Sequence, residues 1–170
     1  MLFNSFEFLF AFLPIVFIVY YLISKFNSAL CNLWLLAASL YFYAYYKIEY
    51  LPVIISSILF NYTLGYFLQK DYSQKTRKII MISAVIGNLA LLCHYKYFNF
   101  LIETFNSLSS MHHFDTMKIM LPLGISFFTF QQISYITDLY KREAKHENII
   151  NYALFVSFFP QLIAGPICIY

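Results

Sequence analysis

Six runs of this chain carry no Asp, Glu, Lys or Arg: Phe8 to Ser24, Phe26 to Tyr46, Tyr50 to Gln69, Ile79 to Tyr95, Ile119 to Thr137 and Ile149 to Tyr170. A helix needs about 20 predominantly apolar residues to cross the roughly 30 Å hydrocarbon core of a bilayer, and each run is of that order. Lipid offers no partner to a backbone amide or carbonyl, so a run of this length must satisfy its own hydrogen bonds, which selects the α-helix. The expected fold class is all-α, a polytopic integral membrane protein with about six hydrophobic segments. Composition agrees: the chain is 61% hydrophobic and only 11% charged, whereas a soluble domain has roughly a quarter charged residues. The net charge of +3 comes without a basic patch, which excludes a nucleic-acid partner, because phosphate contacts need clustered Lys and Arg. The lipid bilayer is the partner that composition dictates.

The N-terminal MLFNSFEF has no basic residue, and no small-residue cleavage pattern follows the first run. That run therefore reads as a retained span rather than a signal peptide, with Pro14 disturbing it. Orientation follows from Lys and Arg in short connections. The stretch Lys70 to Lys78 is the most basic and is expected to be cytoplasmic. Alternation then puts the N-terminus outside, Lys25 inside, and Lys47, Lys96 and Lys118 outside. Lys141, Arg142 and Lys145 fall inside if residues 119–137 cross once. Eight of the eleven basic residues are then internal, so the charge pattern favours a full crossing over a re-entrant segment. No repeat or linker divides the chain, and the polar connection Glu103 to Thr116 is long enough for a short surface helix.

Catalytic residue types are present but not in catalytic patterns. Cys31, Cys93 and Cys168 lie in or beside apolar runs and are odd in number, which fits small buried hydrophobes better than disulfides or a metal site. His112 and His113 stand beside Asp115 in the polar connection, where solvation is the ordinary outcome. His146 lies in KREAKHE, a solvated face by default, and His94 ends an apolar run at the interface beside Tyr95. No Ser-His-Asp or Cys-His pairing, phosphate-binding glycine loop or metal-ligand spacing is present, so no residue is assigned a catalytic role.

The informative stretch is LPLGISFFTFQQISYITDLY, Leu121 to Tyr140. It is as apolar as a span, yet it carries Pro122, Gly124, Ser126, Thr129, Gln131, Gln132, Ser134, Thr137 and Asp138. Unpaired polar groups are costly in lipid, so Gln131, Ser134 and Asp138, at i, i+3 and i+7, are expected to turn one face into protein or a wet cavity. Pro122 and Gly124 predict an irregular start, tolerated at membrane depth only when shielded by protein or lining a cavity. FFPQLIAGPI, Phe158 to Ile167, repeats the pattern with Pro160, Gln161, Gly165 and Pro166. These ten residues, Pro122, Gly124, Ser126, Gln131, Ser134, Asp138, Pro160, Gln161, Gly165 and Pro166, are the candidates for lining a substrate passage. Packing between helices is the competing role.

The two stretches, together with AASLYFYAYY at Ala37 to Tyr46, NYTLGYFL at Asn61 to Leu68 and HYKYFNFL at His94 to Leu101, resemble in order the membrane-bound O-acyltransferase family. The resemblance is to its bacterial branch of alginate and peptidoglycan O-acetyltransferases and teichoic-acid D-alanyl transfer proteins. It implies a multi-span α-helical enzyme of the cytoplasmic (inner) membrane, with a central passage. Such an enzyme takes an acyl group, acetyl in the alginate-type branch, from a donor on one side and delivers it to a polysaccharide hydroxyl on the other. It further implies an acyl donor as co-substrate with no bound cofactor, a cell-envelope or exported polysaccharide as acceptor, and a periplasmic or extracytoplasmic acyltransferase as a partner. In that family a histidine in an apolar helix well after the GPI stretch activates the acceptor. This chain ends at Tyr170, less than half the length of a family member, and has Ile169 where a basic residue often follows GPI. The expectation is the N-terminal portion of the domain over residues 1–170, truncated and inactive alone. Half of a membrane transporter and a non-catalytic membrane scaffold stand as alternatives.

Overall fold

The computed structural model describes residues 5–98, 100–102, 104 and 121–164, and the statements below concern those residues. Every element among them is helical. A π-helical turn, Phe8–Phe12, runs into α1 (Leu13–Ser24), and α2 (Ser28–Tyr46) is followed by a 3₁₀ turn, Ile48–Tyr50, leading into α3 (Leu51–Gln69). Next come α4 (Gln74–Leu92), extended by a second π-helical turn, Cys93–Tyr97, then α5 (Ile125–Lys141), α6 (Ile149–Ser157) and α7 (Phe159–Ala164). Three helical stretches, Ser28–Tyr46, Ile48–Gln69 and Gln74–Tyr97, are long and apolar enough to cross a membrane, with mean hydropathy 1.2 to 1.6. Phe8–Ser24 and Ile149–Leu162 are shorter apolar helices. The all-α membrane class expected from the charge-free runs is what the chain adopts.

Three element boundaries differ from the sequence expectation. The helix anticipated from Ile79 starts at Gln74, because the Ser73 hydroxyl accepts the Thr76 N–H at 3.3 Å and caps it. Lys75, Arg77 and Lys78 therefore ride the first turns of α4 instead of a loop. At Pro14 the disturbance is a π-helical turn ending just before the proline, with the Leu13 N–H bonded to the Phe8 carbonyl. The wider turn suits a residue that cannot donate and whose ring crowds the preceding turn. The last apolar run is not one helix but two, α6 and α7, parted at Phe158. The connection from 105 to 120, with His112, His113 and Asp115, lies outside the described residues.

Two contacts fix the direction of α5. At its start, Lys96 Nζ donates to Ser126 Oγ at 3.4 Å, beside the end of α4. At its end, Arg77 Nη2 donates to the carbonyls of Leu139 (3.2 Å) and Tyr140 (2.9 Å), beside the beginning of α4. Arg142 meanwhile reaches Asp71 at 3.2 Å. Thus α5 runs antiparallel to α4 along its length and returns Lys141 and Arg142 to the end that holds Lys70 to Lys78.

The main core lies between α3, α4, α5 and α6. Phe128, Gln132, Tyr135 and Leu139, at i, i+4, i+7 and i+11, form the inner stripe of α5 and are at most 3% exposed. Within that stripe Gln132 meets α3 and α4. Its Oε1 accepts from Asn61 Nδ2 and, at 3.2 Å, from Ser57 Oγ. Asn61 and Asn88 exchange amide bonds, Asn88 Nδ2 to Asn61 Oδ1 at 2.6 Å and Asn61 Nδ2 to Asn88 Oδ1 at 3.1 Å. Asn88 Nδ2 also donates to the Ala84 carbonyl at 2.8 Å. In contrast, Ile18, Leu22, Leu33, Leu59, Ile86 and Leu89 are exposed on the outer faces of α1 to α4, as a lipid-facing surface requires.

His146, in the connection from α5 to α6, is seated rather than solvated. Its Nδ1 lies 2.9 Å from the Tyr135 hydroxyl, and its ring packs 4.4 Å from that of Tyr62. Gly65 allows the approach: a Cβ there would stand 3.0 Å from Leu139 Cδ1 and 3.2 Å from His146 Nδ1. Burial lowers the His146 pKa below its ordinary 6.5, with Glu147 pulling the other way.

Three outcomes follow from this arrangement. With the native cysteines removed, Lys75→Cys in intact cells should resist an impermeant thiol reagent while Glu49→Cys reacts, and the reverse pattern would invert the topology. Asn61→Ala strips partners from Gln132 and Asn88 and should cost about 1–3 kcal/mol in reversible unfolding in bilayers, whereas changing Asn61, Asn88 and Gln132 together to Leu should cost less. For His146 the folded pKa is depressed, so its contribution is intact above about 6.5 and is lost as pH falls through the folded value. Stability measured from pH 7.5 to 5 should therefore decline in the parent and decline less in His146→Gln.

Candidate functional site

The two irregular stretches meet. Pro122 lacks an N–H and Gly124 takes φ +66°, so the chain turns tightly into α5, with the Ile125 N–H on the Pro122 carbonyl at 3.3 Å. A Cβ on Gly124 would sit 2.8 Å from the Leu162 carbonyl oxygen and 2.9 Å from Leu162 Cγ. Glycine is thus required twice, for its left-handed backbone and for the close approach of α7.

On the other side, the break at Phe158 frees backbone groups that find partners nearby. Its carbonyl accepts the Gln161 and Leu162 N–H groups at 3.1 and 3.0 Å, starting α7 with Pro160 in its first turn. The Phe159 N–H reaches Ser39 Oγ on α2 at 3.4 Å, and Ser39 itself donates to the Leu35 carbonyl. The Phe159 ring lies among Phe8, Phe12 and Phe42 at 5.4 to 6.0 Å between centroids. The break is shielded by protein and its amide is satisfied, the condition for irregular backbone at membrane depth.

The candidate residues divide into three groups. Pro122 and Gly124 stand at this junction together with Pro160 and Gln161. Pro160 lines an apolar cavity of about 310 Å³ with Leu13, Phe17 and Tyr20. Gln161 lines a second, of about 340 Å³, with Asn32 and Asn151, and its Nε2 is buried without a partner. Along α5, Gln131 and Asp138 are 2% and 7% exposed, while Ser126 and Ser134 are half-buried. Gln131, Ser134 and Asp138 lie along one edge of the buried half of the helix, Ser134 the least enclosed of the three, and Ser126 and Thr137 are half-buried farther round. Gly165 and Pro166 lie outside the described residues.

Sequence reasoning missed the most enclosed polar group. Gln132, with Asn61, Asn88 and Ser57, forms the buried amide cluster, and the signal available was the lone Asn in each of two otherwise apolar spans. Among the described residues no group of three or more His, Cys, Asp or Glu could hold a metal ion. His94 is exposed in the second π-helical turn beside Tyr95 and Phe98, and His146 is engaged by Tyr135. The arrangement is a shielded, close contact between two helix ends.

No family model matches the chain, and no solved structure does. Curated proteins do. Over 98% of its length the chain is 40% identical to a peptidoglycan O-acetyltransferase of Helicobacter pylori, of which it covers 37%. It is 38% identical, again over 98% of its length, to a probable alginate O-acetylase of Pseudomonas aeruginosa, of which it covers 32%. A probable alginate O-acetylase of Azotobacter vinelandii is 36% identical over the same share, with 34% of that protein covered. The chain spans about a third of the length of these relatives. The similarity runs along nearly all of the chain's own residues and agrees with its resemblance to the peptidoglycan and alginate O-acetylase branch of the membrane-bound O-acyltransferases.

Proposed function

We propose that residues 1–170 form the N-terminal part of a membrane-bound O-acyltransferase of the cytoplasmic membrane. The complete enzyme transfers an acyl group, acetyl by analogy with its relatives, to hydroxyls of a cell-envelope or exported polysaccharide. The observation that carries this reading is similarity spread across 98% of the chain to proteins named for that chemistry. Geometry supports it at one place: two helix ends, the LPLG turn and the FFPQL break, face each other through Gly124 and Leu162 inside the helical assembly.

In this reading the chain builds part of the wall of a passage. Ser126, Ser134 and Thr137 are half-buried along α5, and each hydroxyl can hydrogen-bond a passing polar group or fold back on its own helix, as Thr137 does to the Ile133 carbonyl at 2.8 Å. Gln131 and Asp138 lie along the same edge as Ser134. The acyl donor enters as a co-substrate, and an extracytoplasmic acyltransferase is a natural partner for handing the group on. The acceptor hydroxyl needs a general base. His146 is engaged by Tyr135 and Tyr62, and this reading gives it no part in taking that proton.

The test is a chimera in which this chain replaces the matching third of the Helicobacter pylori protein, assayed for ester-linked acetate on isolated peptidoglycan. Restored acetylation is the expected result; a chimera that inserts and accumulates normally but leaves the glycan unacetylated contradicts the proposal. Within that chimera, Gln131→Leu should lower acetylation about ten-fold or more while protein level falls little. If Gln131 serves only packing, the protein level falls and activity per molecule holds.

A further inference from the structure

The basic end of the assembly holds a buried cation with no ion-pair partner among the described residues. Arg77 is 4% exposed, yet no carboxylate among the described residues pairs with it. Its Nη2 is spent on the last carbonyls of α5, Leu139 and Tyr140, and its plane lies 5.7 Å from the Tyr140 ring centre. Its Nε has no partner. A helix C-terminus supplies only about half a negative charge, and a buried guanidinium without a counter-ion is costly by several kcal/mol. Arg77 lines a cavity of about 430 Å³ whose other walls are Tyr72, Gln74, Tyr140, Lys141 and Arg142.

Every charged side chain on that cavity wall is cationic. The nearby carboxylates do not line it: Asp71, 95% exposed, holds Arg142 at 3.2 Å, Glu143, 63% exposed, holds Lys141 at 3.7 Å, and Asp138 is buried in α5. Exposed pairs of this kind are weak and yield readily to a better anion. The backbone helps as well. Arg142 takes φ +63° to end α5, and both it and Lys141 line the cavity. Two guanidinium groups, an ammonium group, two aromatic rings and an amide around one opening match the requirements of a tetrahedral oxyanion.

We infer that this cavity, at the cytoplasmic ends of α4 and α5, binds the phosphate of a phosphate ester, with Arg77 at its floor and Lys141 and Arg142 at its mouth. The ester is either the headgroup of an anionic lipid of the inner leaflet or a soluble phosphate compound. The positive-inside placement of Lys70 to Lys78 favours the former, since basic pockets between spans on that side recruit anionic headgroups. The site is separate from the Gly124–Leu162 junction, which lies at the opposite end of α5, and it does not depend on the acyl-transfer proposal.

The experiment uses the whole chain in phosphatidylcholine nanodiscs. One arm adds phosphatidylglycerol and counts lipid retained by native mass spectrometry; the other adds inorganic phosphate or a soluble phosphomonoester and measures binding by equilibrium dialysis. Retention of phosphatidylglycerol identifies the lipid, and saturable binding in the second arm alone identifies the soluble ester. In either case the exposed pair Lys141→Gln, Arg142→Gln should weaken binding roughly ten-fold or more, at about five-fold per basic residue. Arg77→Gln should abolish it, and Arg77→Lys should restore part of it. Lys25→Gln, at the same membrane face but outside the cavity, should have no effect. If Arg77→Gln does not fold, the mouth pair decides. No saturable binding in either arm, or equal weakening by Lys25→Gln, would overturn the assignment.

Discussion

The fold turns on an amide cluster inside an apolar assembly. In water, helices such as α3, α4 and α5 would be driven together by removing Leu and Phe from solvent, but lipid tails are as apolar as those side chains and that force disappears. What distinguishes one helix arrangement from another is then the placement of groups that lipid penalises. Asn61, Asn88 and Gln132 are each 2% exposed or less, and Asn61 bonds to both of the others. Each comes from a different helix, so displacing Asn61 strips partners from the other two, and displacing either of those strips one from Asn61. Individual bonds of this kind are worth only about 0.6–2 kcal/mol; their value lies in selecting the register of three helices at once.

That register sets the rest. With Gln132 held against α3 and α4, the Gly124 turn is fixed two helical turns earlier and the Leu139 and Tyr140 carbonyls two turns later. The first position puts the LPLG turn where Leu162 can approach the bare Cα of Gly124. The second puts two open carbonyls where Arg77 can donate to them. A shift of one residue would rotate Gln132 by about 100° out of the cluster and would replace Gly124 with a residue bearing a side chain. The amide cluster, the shielded junction and the cationic cavity are therefore three consequences of one helix being held in one position.

Much of this was legible in the sequence. Charge-free runs located the helices because bilayer thickness and backbone hydrogen bonding leave few alternatives for such runs. The distribution of Lys and Arg anticipated which ends lie together, and Arg77 and Arg142 realise it through direct contacts across 62 to 71 residues of chain. Pro and Gly marked both irregular stretches. What spacing could not show was which glutamine faces inward. Gln131 pairs by periodicity with Ser134 and Asp138, whereas Gln132 falls in step with Phe128, Tyr135 and Leu139 and so looked like an interruption of an apolar stripe. The decisive information lay in Asn61 and Asn88, remote in sequence. His146 misled for the same reason: KREAKHE is polar as a string, but the connection folds back onto Tyr62 and Tyr135 where α3 offers Gly65 as a notch.

These observations also explain why so polar a segment is tolerated in so apolar a chain. α5 is enclosed along half its circumference by α3, α4 and α6, so Thr129, Gln131, Gln132 and Asp138 never meet hydrocarbon there. Its outward half carries short hydroxyl residues, which can satisfy themselves on their own helix where no other partner comes, as Thr137 does. Short hydroxyl residues occur on both halves, whereas Gln131, Gln132 and Asp138 are all buried. Packing and passage are the two roles weighed for these residues, and Gln131, buried at the edge of the inner stripe, is the one whose substitution separates them by experiment.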